Sequence, residues 1–217
     1  MSDIILTTLN GRYTHSSLGL RYLFANLKDL QKKALIKEYV INEKMQDIAE
    51  DILKENPKII GIGVYIWNAS DVGELIEILK KVSPQTTIIL GGPEVSYLPF
   101  RVNMDKADYI IQGEGEIPFY ELCRDILEKK EIEKRIFPPK LYDLKEIELP
   151  YKYYDDNDIK NRYIYVEASR GCPFSCEFCL SSIDKNVRNF ELNELLEEFQ
   201  TLWDKGVRNF KFIDRTF

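Results

Sequence analysis

Lys58-Ile-Ile-Gly-Ile-Gly-Val-Tyr-Ile66 is a near-continuous apolar run. It does not alternate apolar with polar, so it has no face to give to water. Such a run fits a central parallel strand covered on both sides. Parallel neighbours need crossover connections, usually helices, and the flanking sequence supplies them. Residues 3–9, 34–41, 86–90 and 107–111 read as further strands. Between them, helical period is predicted over 18–32 (Leu20, Leu23, Phe24, Leu27), 44–55 (Met45, Ile48, Ile52, Leu53) and 70–82 (Leu75, Ile76, Leu79, Val82), and a last helix over 119–129. Strands alternating with helices at this spacing predict an α/β domain, a doubly wound and mainly parallel sheet, over residues 1–130.

Residues 131–162 break the pattern with Pro138-Pro139, Pro150 and a tyrosine cluster at 151–154, and are read as a linker. A second α/β unit is expected over 163–217, with strands at 163–167 and 210–213 and a helix at 191–204. Only 46 residues follow Gly171, whereas one βαβ unit takes about 30. The second unit is therefore expected to be the start of a larger, incomplete domain. One of its apolar strand edges is expected to lack a partner and to favour self-association.

Net charge is −6, with 44% hydrophobic and 30% charged residues. An acidic surface gives no support to binding nucleic acid or an anionic membrane. No apolar run approaches the roughly 20 residues that span a bilayer. Met1-Ser2-Asp3-Ile4 has no basic and apolar leader pattern. A cytoplasmic protein is expected, with its four cysteines reduced or bound to metal.

Three of those cysteines follow the strand at 163–167 in Arg170-Gly-Cys172-Pro-Phe-Ser-Cys176-Glu-Phe-Cys179. Soft thiolates suit iron–sulfur clusters or zinc. Structural zinc normally takes four protein ligands. Cys123, in an amphipathic helix, reads as a core residue, and neither it nor His15 is near in sequence. A zinc knuckle completed by a remote residue and three unrelated cysteines are the alternatives. Cys-x-x-x-Cys-x-aromatic-Cys after a strand, led by Arg-Gly, resembles the radical S-adenosylmethionine (radical SAM) enzymes. The resemblance implies a partial (β/α) barrel and a 4Fe-4S cluster held by Cys172, Cys176 and Cys179. S-adenosylmethionine would take the fourth iron and be cleaved to a 5′-deoxyadenosyl radical. It also implies an electron donor such as flavodoxin or ferredoxin, and a small-molecule substrate. Arg188, Gly206-Val207 and Phe212-Ile-Asp-Arg-Thr-Phe217 resemble the cobalamin-linked branch of that family. There Asp214, Arg215 and Thr216 would stand near the amino end of S-adenosylmethionine; a turn or cap role for Asp214 is the alternative.

The first domain is similar to the Rossmann-like cobalamin-binding domains fused to such barrels. Leu90-Gly91-Gly92-Pro93 resembles their turn after the fourth strand, and Gly113-Glu114-Gly115-Glu116 the segment after the fifth. Ligands of open α/β sheets bind beyond the carboxyl ends of the strands, where glycine lets backbone come close to a large flat ligand. The loop Asn10-Gly-Arg-Tyr-Thr-His15 departs from the Asp-x-His-x-x-Gly pattern of domains that supply a lower axial histidine. His15 is open to three roles: cobalt ligand, non-ligating neighbour, or plain loop residue. Tyr65, Trp67 and Asn68 are candidates to pack on the corrin ring, or simply edge the core. The resemblance implies a cobalamin-dependent radical SAM enzyme catalysing methyl transfer or ring formation. A cobalamin-binding module without activity is one alternative, and a methylthiotransferase-like enzyme acting on transfer RNA is another.

Overall fold

The computed structural model describes residues 2–97, 105–179 and 184–216; Phe217, quoted above with the last strand, lies outside them. The chain divides into two compact units, Met1–Tyr142 and Asp143–Phe217.

In the first unit, β1 (Ile4–Asn10), β2 (Ala34–Val40), β3 (Ile59–Gly63), β4 (Thr87–Gly91), β5 (Tyr109–Ile111) and β6 (Ile136–Phe137) form one parallel sheet in the order β2-β1-β3-β4-β5-β6. Helices α1 (Leu18–Ala25), α2 (Met45–Leu53), α3 (Ala69–Val82), α4 (Pro93–Ser96) and α5 (Glu116–Leu127) join them. Alternate strand residues serve the two faces. Ile5, Leu9, Ile60, Ile62, Ile88 and Leu90 pack with residues of α2 and α3. Ile4, Leu6, Ile59 and Ile89 pack with α1 and α5. This double burial is why β3 carries no polar side chain, while the polar residues of β1 (Thr7, Thr8 and Asn10) are themselves buried towards its carboxyl end.

The chain runs outward from β1 to β2 and then returns to place β3 on the other side of β1. The switch point therefore lies at the carboxyl ends of β1 and β3, where open sheets of this kind accept ligands.

Two boundaries differ from the sequence expectation. The helix predicted over 18–32 ends at Ala25, and Lys28–Lys33 is a separate 3-10 turn. Side chains terminate it: Asn26 donates to the Tyr22 carbonyl, and Gln31 to those of Phe24 and Ala25. The segment read as a linker is shared out. Ile136–Phe137 extends the sheet as β6, and the units divide after Tyr142.

The second unit opens with short 3-10 turns at Leu144–Glu146 and Tyr151–Tyr153. Helix α6 (Asp156–Asn161) follows, with a capping box from Asp155 and Asp158. Strand β7 (Ile164–Val166) pairs in parallel with β10 (Phe210–Phe212). Between them lie β8 (Ser169–Arg170), β9 (Arg188–Asn189) and α7 (Leu192–Asp204). Helix α7 buries Leu195 and Leu202, and the Phe199 ring meets Tyr151, Phe210 and Phe212.

The tyrosine cluster has a definite task. Tyr151 Oη donates to the Glu167 carbonyl at 2.9 Å and accepts from the Glu167 N–H at 3.1 Å. Tyr154 Oη does the same for Tyr165, at 2.7 and 3.1 Å. Two hydroxyls thus stand in for a neighbouring strand along the side of β7 that faces away from β10. Strand β7 is therefore engaged on both sides, and among the described residues the strand edge without a partner strand is the outer edge of β10.

Candidate functional site

The carboxyl edge of the first sheet is built from the loops that follow β1, β3, β4 and β5, and it gathers the first-domain residues singled out by sequence. After β3 the chain turns on Asn68. Its Oδ1 accepts from Tyr65 N at 2.8 Å, and its Nδ2 donates to Thr8 Oγ1, the Leu9 carbonyl and the Gly63 carbonyl. Asn68 is fully buried, so its amide ties β3 to β1 instead of facing a ligand. This is the physical reason the apolar run stops being a strand before Tyr65.

Tyr65 and Trp67 are stacked, with ring centroids 4.6 Å apart and planes 7° from parallel. Trp67 Nε1 donates to the Leu9 carbonyl at 3.1 Å, yet the residue is 51% exposed. A rigid ledge with one open aromatic surface results. Burial pushes the Tyr65 phenol above its ordinary range, outweighing the opposing effect of the Ser17 hydroxyl. It therefore stays neutral at physiological pH. Tyr13 and Ile66, also at this end of the sheet, are exposed.

The loop after β1 is equally constrained. Asn10 Nδ2 donates to the His15 carbonyl at 3.0 Å and to Glu38 Oε2 at 2.7 Å. His15 N–H donates to the Arg12 carbonyl. Asn10 is thus a loop staple, and His15 is half-buried with its backbone fixed. Glu38 also accepts from Ser17 N and from Arg21, each at 2.7 Å. Neither Glu38 nor Arg21 was singled out from sequence. The available signal was a carboxylate inside a strand and an arginine among the apolar positions of α1.

The paired glycines serve the protein's own backbone. Gly92 has φ 101° and ψ 176°, a conformation open essentially only to glycine. A Cβ there would stand 2.6 Å from the Val64 carbonyl oxygen. Gly113, at φ 74°, packs on Pro139 in the same manner. At these two positions the protein's own packing already requires the absence of a side chain. Ser96 links the two turns, donating to the Gly92 carbonyl at 2.7 Å and accepting from Gly113 N at 3.0 Å. Glu114 accepts from Tyr142 N, and Gly115 precedes α5 against Leu23. Open space remains at Gly11, with nothing within 4 Å of a built Cβ, and at Gly91, whose nearest neighbour would be at 3.8 Å. An open aromatic ledge with two uncrowded glycine positions suits a large flat ligand such as a corrin.

In the second unit, the cysteine loop leaves β8 and returns through β9, whose pairing closes its neck: Ser169 opposite Asn189 and Arg170 opposite Arg188. Gly171 has φ 95° and lies so tightly on Asn186 that no side chain fits. Cys172 N donates to the Asp184 carbonyl, and Cys179 N to that of Cys176. Arg170 pairs with Glu167 at 2.8 Å. Asp214 accepts from Ala168 N, Ser169 N and Ser169 Oγ, so its carboxylate fastens the strand leading to the loop. That favours the turn role over contact with S-adenosylmethionine.

Cys172 is buried, Cys179 half-buried and Cys176 exposed, and none is in a disulfide. Their chemistry fits an iron–sulfur cluster. Their arrangement does not yet: among the described residues no three His, Cys, Asp or Glu side chains are gathered to hold a metal ion. Cys123 is buried in α5 among apolar neighbours, and burial pushes its thiol far up. No helix among the described residues is long and apolar enough to cross a membrane.

A doubly wound parallel sheet with its loops knit together at the carboxyl edge, joined to a βαβ unit bearing a three-cysteine loop, defines a two-part cofactor protein. The B12 binding domain family matches residues 4–123, more than half of the chain. The chain belongs to that family. It is 28% identical over 228 residues to an uncharacterized methyltransferase of Pyrococcus horikoshii, covering 94% of this chain and 50% of the relative. It is 24% identical over 201 residues to the cobalamin-dependent radical SAM methyltransferase TokK of Streptomyces tokunonensis, covering 80% and 29%. Its fold is similar to that of the radical S-adenosylmethionine methyltransferase TsrM from Kitasatospora setae, solved with cobalamin and a 4Fe-4S cluster bound. That likeness has a TM-score of 0.74 at 16% identity, over 99% of this chain and 48% of the other. The chain spans half or less of the length of these relatives.

Proposed function

We propose that the first unit binds cobalamin on the carboxyl edge of its sheet, and that the protein works as a cobalamin-dependent radical SAM methyltransferase. One observation carries the first part: the family match covers the same residues that build the open Tyr65–Trp67 ledge and the loops around it. The methyltransferase reading draws on the relatives named above. Cys172, Cys176 and Cys179 would hold a 4Fe-4S cluster, with S-adenosylmethionine as its partner. Bound there, the cluster would supply one-electron reduction and the cobalamin a carrier for a methyl group. The chain's own residues have simpler tasks. Trp67 and Tyr65 offer a flat apolar surface, Asn68 and Asn10 fix the loops around it, and Asp214 and Glu167 anchor the strand that delivers the cysteines. A small-molecule substrate and a flavodoxin- or ferredoxin-type electron donor complete the reading. A cytoplasmic setting, as expected from the cysteine usage of the sequence, belongs to the same reading.

The separation of the three cysteines favours a second reading for this chain taken alone, that of a cobalamin-binding module without catalytic activity. The two are distinguished by adding S-adenosylmethionine and a reductant after anaerobic iron and sulfide reconstitution. Release of 5′-deoxyadenosine overturns the module reading. Cobalamin binding itself is tested by equilibrium dialysis of the full chain against hydroxocobalamin, with one equivalent retained expected. No retention at high protein concentration overturns it.

A further inference from the structure

We propose that Glu38 is a positioning residue for cobalamin, holding the loop after β1 and the aromatic ledge after β3 in the shape that receives the ligand. The proposal rests on the cobalamin reading above and adds a residue to it.

Glu38 lies in β2, and its side chain is 4% exposed; that of its ion-pair partner Arg21 is 5% exposed. The carboxylate collects three donors from separate pieces of chain. Oε1 accepts from Arg21 of α1; Oε2 accepts from Asn10 Nδ2 at the end of β1 and from the Ser17 amide that begins α1, each at 2.7 Å. Arg21 also donates to the Ser17 carbonyl at 2.9 Å. The two ends of the 10–17 loop are therefore fastened to one group, and Asn10 passes the constraint to the His15 carbonyl. The Tyr65 hydroxyl lies against the start of α1, 3.4 Å from where a Cβ on Gly19 would stand, and Tyr65 carries Trp67 by stacking. One buried carboxylate thus reaches both walls of the candidate site.

Stability alone is a poor reason for such a group. A buried ion pair costs so much desolvation that apolar residues of similar volume often replace it without loss. What apolar residues do not supply is direction. Three short charge-assisted hydrogen bonds hold three segments at fixed distances, and a hydrophobic contact would let the loop slide. Binding to a loop that is only partly in its competent shape is weakened in proportion to the competent fraction.

The test compares Glu38→Gln with the apolar pair Arg21→Met/Glu38→Leu in the full chain. Glu38→Gln leaves Arg21 uncompensated and turns an amide into the donors of Asn10 or Ser17, so it also loses stability. The apolar pair removes the buried charges together; it is expected to melt below wild type, because Asn10 Nδ2 and Ser17 N lose their acceptor, but to remain folded. Both variants should bind hydroxocobalamin at least about tenfold more weakly, as for a loop competent about one-tenth of the time. Without ligand, amides 11–17 should exchange faster in both. If wild type binds and the apolar pair binds equally well, or if its 11–17 amides stay as protected as wild type, Glu38 is merely structural and the proposal fails. If the apolar pair fails to fold, Asn10→Ala, which removes one arm of the same hub, takes its place with the same expected results. If wild type itself does not bind, the cobalamin reading falls and this proposal with it.

Discussion

Replacing Tyr151 by phenylalanine removes one oxygen and tests how the cysteine loop is supported. Tyr151 is fully buried, and its ring rests edge-on against Phe199 with centroids 5.4 Å apart. The variant keeps that packing. It loses both hydrogen bonds to Glu167, a residue that is itself buried. A buried donor or acceptor left without a partner costs about 1–3 kcal/mol. Two such groups on one residue, partly relieved by strand movement, give about 2–4 kcal/mol. Because the chain has two units, one global unfolding energy is not a well-defined target. Local amide exchange is the better assay. Opening of the strand around Glu167 should become about 30- to 1000-fold more frequent, since each 1.4 kcal/mol is tenfold. Tyr154→Phe should act in the same way on Tyr165, and neither change should alter exchange in β1 or β3. Full protection of the Glu167 amide in Tyr151→Phe would refute the claim that the tyrosine hydroxyls act as a strand substitute.

Gly92→Ala should destabilise the first unit by at least about 1–3 kcal/mol, the cost of a conformation reserved for glycine, and more because its Cβ meets the Val64 carbonyl; unchanged urea unfolding of this unit would contradict that. Electron paramagnetic resonance of bound cob(II)alamin should show no nitrogen splitting from the protein, because the loop after β1 lacks the Asp-x-His-x-x-Gly pattern; splitting that disappears in His15→Ala would make His15 the cobalt ligand. Alkylation at neutral pH should mark Cys176 first and spare Cys123 until denaturant is added, since the thiolate is the reactive form and burial pushes the Cys123 thiol far up. Equal rates at the two would mean that α5 opens readily.

The doubly wound sheet was legible because its evidence is local and repeated. The apolar run around β3, the period of α2 and α3 and the glycine closures after β4 and β5 all agree. The two-residue β6 was not legible, because Ile136–Phe137 between proline and charged residues carries no period. The loops singled out by sequence lie together at the carboxyl edge, and several residues in them have partners within the protein that sequence did not show. Asn10, Asn68, Gly92 and Gly113 are at the carboxyl edge as expected, but their polar groups and free space are used by the protein itself. What fixes them are partners far along the chain, such as Glu38 for Asn10 and Val64 for Gly92, and no window of neighbouring residues displays these. Tyr151 and Tyr154 were hidden for the same reason. Their hydroxyls answer backbone groups of residues 165 and 167, so a segment that looked like a linker is part of the second unit's framework.

The central claim is that cobalamin lies across the carboxyl ends of β1 and β3. Hydrogen exchange of the full chain with and without hydroxocobalamin, read by mass spectrometry, tests it most directly. Added protection should concentrate in residues 10–17 and 64–69, with a smaller change at 91–96, and residues 45–53 of α2 should be unaffected. Protection confined to other segments, or none at saturating ligand, would contradict it.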